Sequence, residues 1–167
     1  IMPLNVQLNK STPSNFRLVF PMLPNQSSIG AAEELILNIH STILPGMALN
    51  PGEINWVNTK GKNAEGPIIF DEFNVDFIVD SELKNWKVLY NWLTYITNYT
   101  TKINEEYKDF SVDGSLQILD NFNSEVLRIG LTRMWPMAIG AITLSNRDGE
   151  SVLECSATFS YDYYEIK

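Results

Sequence analysis

Residues 70–93 read FDEFNVDFIVDSELKNWKVLYNWL, and the period of this stretch changes in its middle. Phe73, Val75, Phe77 and Val79 alternate with Asn74, Asp76, Ile78 and Asp80, the two-residue repeat of a half-buried strand. Leu83, Trp86, Leu89 or Tyr90, Leu93 and Ile96 then recur every three or four residues, as on an amphipathic helix. Asp80 or Ser81 can accept hydrogen bonds from the free N–H groups of the first turn, and Glu82 suits the positive end of the helix dipole. The spacing predicts a strand over 70–80 running straight into a helix over 82–97 whose apolar stripe lies on a sheet.

Working outward, the other predicted elements are strands. NFRLVFP puts Phe16, Leu18 and Phe20 on one face and ends at Pro21, which has no N–H for a ladder. The loop-like PMLPNQSSIGAAEE leads to LILNIHSTILPGMAL, predicted to be a strand with Leu35, Leu37 and Ile39 inward and a turn at Pro45-Gly46. Residues 50–68 read as an exposed hairpin or long loop with a weak strand at Ile54 to Val57. Leu116 and Ile118, then Leu127, Ile129 and Leu131, form a hairpin turning near Asn121 to Ser124. The end reads as a strand in AITL, an NRDG turn, and one long strand with Leu153, Cys155, Ala157, Phe159, Tyr161 and Tyr163 on one face. Seven or eight strands and one helix predict a mainly β chain of two packed antiparallel sheets, a sandwich or barrel with one α-helix. Residues 1–167 read as one domain, and 1–14 as an irregular N-terminal arm.

Charge and chemistry narrow the function. Twenty Asp plus Glu against 12 Lys plus Arg give a net charge of −8. Tight nucleic-acid binding needs clustered cations, and the nearest approach is Lys60-Gly61-Lys62. An acidic protein is nevertheless suited to letting DNA slide past, since like charge repels phosphate. No apolar run reaches the roughly 18 residues of a membrane helix. The single cysteine, Cys155, excludes an internal disulfide, and with no signal peptide visible the chain reads as a protein of a reducing cytoplasm. His40 is the one histidine and falls mid-strand, while Cys155 alternates onto a core face. No nucleophile elbow, phosphate-cradling loop or metal-ligand cluster is present, so no catalytic, cofactor-binding or metal site is assigned, and the chain reads as a non-enzyme. Asp76 and Asp80 alternate with apolar residues and belong to the polar face of a strand, where solvent or another subunit meets them. Trp56, Trp86, Trp92 and Trp135 leave open a carbohydrate-binding or adhesion module, which burial of Trp86, Trp92 and Trp135 would undercut.

Two stretches together resemble the tail tube proteins of contractile-tailed bacteriophages. In residues 130–166 the shared features are Trp135-Pro136, Gly140, Leu144, Asp148, Thr158-Phe159 and the closing Asp162-Tyr163. In the opening stretch they are Phe70-Asp71, Val75, Val79, Asp80 and Trp92. NFRLVFP and LPGMAL are similar to earlier strands of the family. The resemblance implies a structural subunit whose copies, six to a ring, join inner sheets into a continuous barrel, with stacked rings forming the tail channel. It also implies sheath, baseplate and tape-measure proteins as partners, DNA that passes without specific binding, no membrane partner, and a place in the virion tail after assembly in the bacterial host cytoplasm. Baseplate proteins that initiate the tube and terminator proteins that end it share the same fold and remain alternatives to the major tube subunit. Proline at Ile129 is expected to block ring closure more than it lowers monomer solubility.

Overall fold

A computed structural model describes residues 15–24, 29–36, 38–101, 110–145 and 152–167. The expected N-terminal arm, the NRDG turn and most of the connection after the long helix lie outside these residues.

Strand β1 (Phe16–Val19) comes first and is followed by helix α1 (Ala32–Ile36), β2 (Ile39–Thr42), β3 (Met47–Leu49), β4 (Gly52–Asn55), β5 (Lys60–Asn63) and β6 (Ile68–Phe70). Then come β7 (Phe73–Ile78), α2 (Lys84–Thr101), β8 (Val112–Leu119), β9 (Glu125–Ile139), β10 (Glu154–Ser160) and β11 (Tyr163–Ile166). The main sheet follows the path β1-β8-β9-β10-β7-β2, with β11 also on β9 and all pairs antiparallel.

β9 is the strand that organises this path. Its first part pairs with β8 on one side and β11 on the other, from Leu127↔Ile118 and Ile129↔Ile166 up to Thr132↔Tyr163. Its last part, Trp135 to Ile139, pairs with β10. The main sheet therefore divides into sheet I (β1-β8-β9-β11) and sheet II (β2-β7-β10-β9), with β9 passing from one to the other. Two small ribbons, β3-β6 and β4-β5, form an arm leaving sheet II between β2 and β7.

The inner faces of both sheets share one core. Leu18, Leu116, Ile129 and Leu131 enter from sheet I; Phe73, Val75, Phe77, Cys155, Ala157 and Phe159 enter from sheet II. Helix α2 adds Val88, Leu89 and Trp92. Trp92 is wholly buried, its ring 6.4 Å from Phe20 and 6.1 Å from Phe159, and its Nε1–H donates to Phe110 O at 2.8 Å. That bond meets the indole's polar requirement inside an apolar core.

The predicted strand-to-helix join forms from Phe73 onward, with Phe73, Val75, Phe77 and Val79 all buried, but the predicted strand over 70–80 is broken at Asp71-Glu72, and Phe70 belongs to β6, paired with β3. Its capping differs from expectation. Leu83 takes a left-handed φ of 53°, and the buried Asn85 fastens strand to helix. Asn85 Nδ2 donates to Ile78 O at 2.6 Å, while Oδ1 accepts from Asp80 N and Trp86 N at 3.2 and 2.9 Å. Asn85 therefore fills the role expected of Asp80 or Ser81 for the N–H of Trp86.

Several expectations are corrected. The predicted strand from Leu35 begins instead as α1, because Ala31, Ala32, Glu33 and Glu34 favour helix and carry Leu35 into the core on a helical turn. AITL forms no strand: β9 ends at Ile139, and Leu144 is 79% exposed, with no neighbouring strand to pair among the described residues. The last strand breaks at Tyr161-Asp162 into β10 and β11, so Tyr164 turns inward and Tyr163 outward, against the predicted alternation. Two helices and eleven strands stand among the described residues, where one helix and seven or eight strands were expected.

Candidate assembly surface

The polar chemistry of this fold is spread along sheet faces and edges. On the solvent face of sheet II, Asn74, Asp76 and Ile78 of β7 stand opposite Thr158, Ser156 and Glu154 of β10. Thr158 Oγ1 and Asn74 Oδ1 are 2.7 Å apart, and Ala138 continues the Asn74–Thr158 row on β9. No Lys or Arg belongs to these positions. The solvent face of sheet I differs, with Arg17, Gln117 and Arg128 in one cross-strand row. Arg128 is held by Glu125 through bonds of 3.0 and 2.7 Å, and this carboxylate raises the guanidinium pKa above its usual value.

Among the described residues, both sheets end in strands with one partner. β2 and the last part of β9 border sheet II; β1 and β11 border sheet I. Such borders present unpaired backbone N–H and C=O groups and are ready templates for another chain. β1 and β2 also face a cleft of about 400 Å³ lined by Phe16, Leu18, Ile36, Ile39 and Leu119. The arm adds apolar surface: Met47, Leu49, Ile68 and Ile69 are 47–64% exposed, and Trp56 and Val57 stand at the tip of the β4-β5 hairpin.

Among the residues that carry the resemblance, Phe70, Asp71, Trp135, Pro136, Asp162 and Tyr163 fall at two joints of the fold. At the passage from sheet I to sheet II, Arg133 has a left-handed φ of 53° and its N–H donates to Asp113 Oδ1 at 2.9 Å. Its guanidinium pairs with Asp162, whose N–H donates to Thr132 O at 3.1 Å. Tyr163, 41% exposed, pairs with Thr132; Trp135 and Pro136 follow on β9 opposite Ser160 and Phe159. Pro136 has no N–H and sits where the β9-β10 register shifts, a position that tolerates the missing donor. A second joint binds the corner between β6 and β7. Phe70 lies 6.2 Å from Tyr161 and 5.0 Å from Tyr164, and Tyr161 O–H donates to Asp71 O at 2.6 Å. Burial first, then Tyr164 and Asp71, push the Tyr161 phenol up to about 12. Gly140 bonds Ser156 O through its N–H at 2.7 Å, and Trp92 sits at the core centre. The structure thus brings together Trp135, Pro136, Asp162 and Tyr163 at one joint and Phe70 and Asp71 at the other. Gly140 and Trp92 lie apart from both.

Sequence reasoning missed Asp113, Arg133 and Asn85. Asn85 had a legible signal, a polar residue in the helical row of Leu89 and Trp92. Arg133 had none, since its left-handed backbone is ordinarily announced by glycine or asparagine. The two residues with nucleophile or base chemistry differ in their settings. His40 is exposed on β2, and Cys155 is buried with its thiol pKa raised mainly by that burial. The tryptophans offer no common platform: Trp92 is buried, Trp86 stacks on Tyr90 with centroids 5.4 Å apart, and Trp135 meets Phe110 edge-on. Trp56, 65% exposed, stands apart on the arm; of the three tryptophans whose burial would undercut a sugar-binding reading, Trp92 is buried and Trp86 and Trp135 are half-buried.

Among the described residues, the distinguishing surface features are open sheet edges, a sheet II strand face without Lys or Arg, and an apolar arm. The chain belongs to the phage tail tube protein family, which matches residues 11–167. It is 28% identical over 168 residues to the tail tube terminator protein of Enterobacteria phage T4, covering 95% of this chain and 90% of that one. The fold is similar to a chain in the PVC sheath-tube complex of an extracellular contractile injection system, with a TM-score of 0.63, 9% identity and coverage of 97% and 93% of the two chains. It is equally similar to a chain of the anti-feeding prophage tube-terminating cap, with a TM-score of 0.63, 10% identity and coverage of 95% and 91%. The protein is accordingly a structural component of the phage tail tube system.

Proposed function

We propose that six copies of this chain close into a ring at the end of a contractile phage tail tube, with sheet II lining the channel. The observation that carries the ring is the pair of open borders of sheet II, β2 and the last part of β9, which can complete one another between neighbouring copies. The solvent face of the same sheet then becomes the channel wall. Asn74, Asp76, Glu154, Ser156 and Thr158 suit that place, because a wall with carboxylates and no cations lets DNA phosphates and an ejected tape-measure protein pass without adhering. The arm can reach an adjacent subunit or ring, and the outer surface is left for sheath and baseplate partners.

Within the tube, the terminator position is favoured by the full-length relationship to the T4 tail tube terminator. Negative-stain microscopy of the purified protein separates the readings. Terminator rings are expected to appear singly, with a central hole, and to cap tube ends; a major tube subunit stacks into long tubes on a baseplate. A strictly monomeric protein at high concentration, with or without tubes to bind, would overturn the ring.

A further inference from the structure

We propose that Arg133 is a positioning residue for assembly, setting the angle at which sheet I leaves sheet II. The inference rests on the ring reading above. Among the described residues, two segments carry the chain from one sheet to the other: β9 at Arg133, and the β10-β11 crossing at Tyr161-Asp162. Arg133 ties these crossings together. Its guanidinium pairs with Asp162, Asp162 N–H donates to Thr132 O, and Asp113 of β8 accepts the Arg133 N–H. The register shifts on both sides of this point, between Val112 and Gly114 in the β8-β9 ladder and between Thr158 and Phe159 in the β10-β9 ladder.

The backbone alone favours glycine here, because a φ of 53° crowds any side chain. Arginine instead supplies a charged group that reaches the neighbouring crossing, beside the backbone bond from Asp162 to Thr132. The ion pair is half exposed, with side-chain accessibilities of 51% and 33%, so it adds little to the stability of a single copy. Its consequence lies in the angle. A closed ring repeats the same geometry in every copy, and an error of a few degrees per copy accumulates around the circle until the borders no longer meet.

Arg133→Gly keeps the left-handed backbone and removes the pair. Asp162→Asn keeps the backbone bond to Thr132 while weakening the pair. Asp113→Asn serves as control, since its amide oxygen still accepts the Arg133 N–H. Circular dichroism and thermal melting are expected to find all three folded, while sedimentation finds rings requiring roughly tenfold more protein for Arg133→Gly and Asp162→Asn. Asp113→Asn is expected to assemble as wild type does. If Arg133→Gly does not fold, Asp162→Asn decides alone. Rings forming equally well in Asp162→Asn and wild type overturn the inference, whereas wild-type protein that forms no ring overturns the ring reading itself.

Discussion

At Gly140 the requirement for a missing side chain can be followed atom by atom. A Cβ there would lie 3.2 Å from Ser156 O and 3.3 Å from Ser156 N, and closer still to Ser156 Oγ. The hydroxyl can rotate away, but the backbone atoms belong to the bond that closes β9 onto β10. Gly140→Ala is expected to cost about 1–3 kcal/mol in urea unfolding, as overpacking does, and Ser156→Ala to return only part of that loss in a double-mutant cycle. Full recovery would mean that the hydroxyl alone makes the clash. Glycine in a motif is legible in a sequence, yet the atom that excludes a side chain is not, because Ser156 is brought beside Gly140 only by the ladder. Arg133 is the opposite case, an ordinary residue in an unusual backbone, held there by Asp113 and Asp162 from elsewhere in the chain.

Elements were legible where the apolar period was long and matched by pairing. β7 and the β8-β9 hairpin follow their periodicities, and the Asp120–Ser124 turn closes where polar residues announced it. Helix α2 forms, but its buried row is Asn85, Val88, Leu89 and Trp92; of the predicted stripe only Leu89 is fully buried, and Leu83 and Tyr90 are exposed. Local pattern failed where two chain segments decide together. The alternation of residues 153–163 is continuous, but the run divides at Tyr161-Asp162 into β10 and β11, where Asp162 pairs with Arg133 and its N–H donates to Thr132 O. The β6-β7 corner is fastened to that same crossing by Tyr161, and its titration gives an element-scale prediction. The phenol has a folded value near 12, above its ordinary value of 10, so its contribution is full below about pH 10 and is lost as pH rises through 12. Wild-type protein should lose stability over this window more steeply than Tyr161→Phe, measured by urea unfolding at successive pH values. Parallel curves for the two proteins would mean that the phenol is not held buried at the corner.

For the whole molecule, burial and pairing within one copy distinguish strands that build the fold from borders available to another copy. Ile129 belongs to the first group: it is 2% exposed and lies between Leu116 of β8 and Ile166 of β11. The expectation that proline there acts chiefly on ring closure is therefore corrected; Ile129→Pro enters the interior of sheet I and should unfold the single copy, at a cost of about 3 kcal/mol or more. The border of sheet II lies further along β9. Gly140 N–H points to Ser156 O, and the two-residue alternation of an antiparallel ladder turns the N–H of Ile139 to the opposite, open side. Ile139→Pro removes a donor from that border while sparing the β10 ladder, so near-ultraviolet circular dichroism should persist as rings disappear from micrographs. An Ile139→Val control, which keeps the N–H and most of the apolar contact, should form rings. Normal rings from Ile139→Pro would place the contact between copies on a different border, leaving β1 and β11 of sheet I as the edges through which the circle closes.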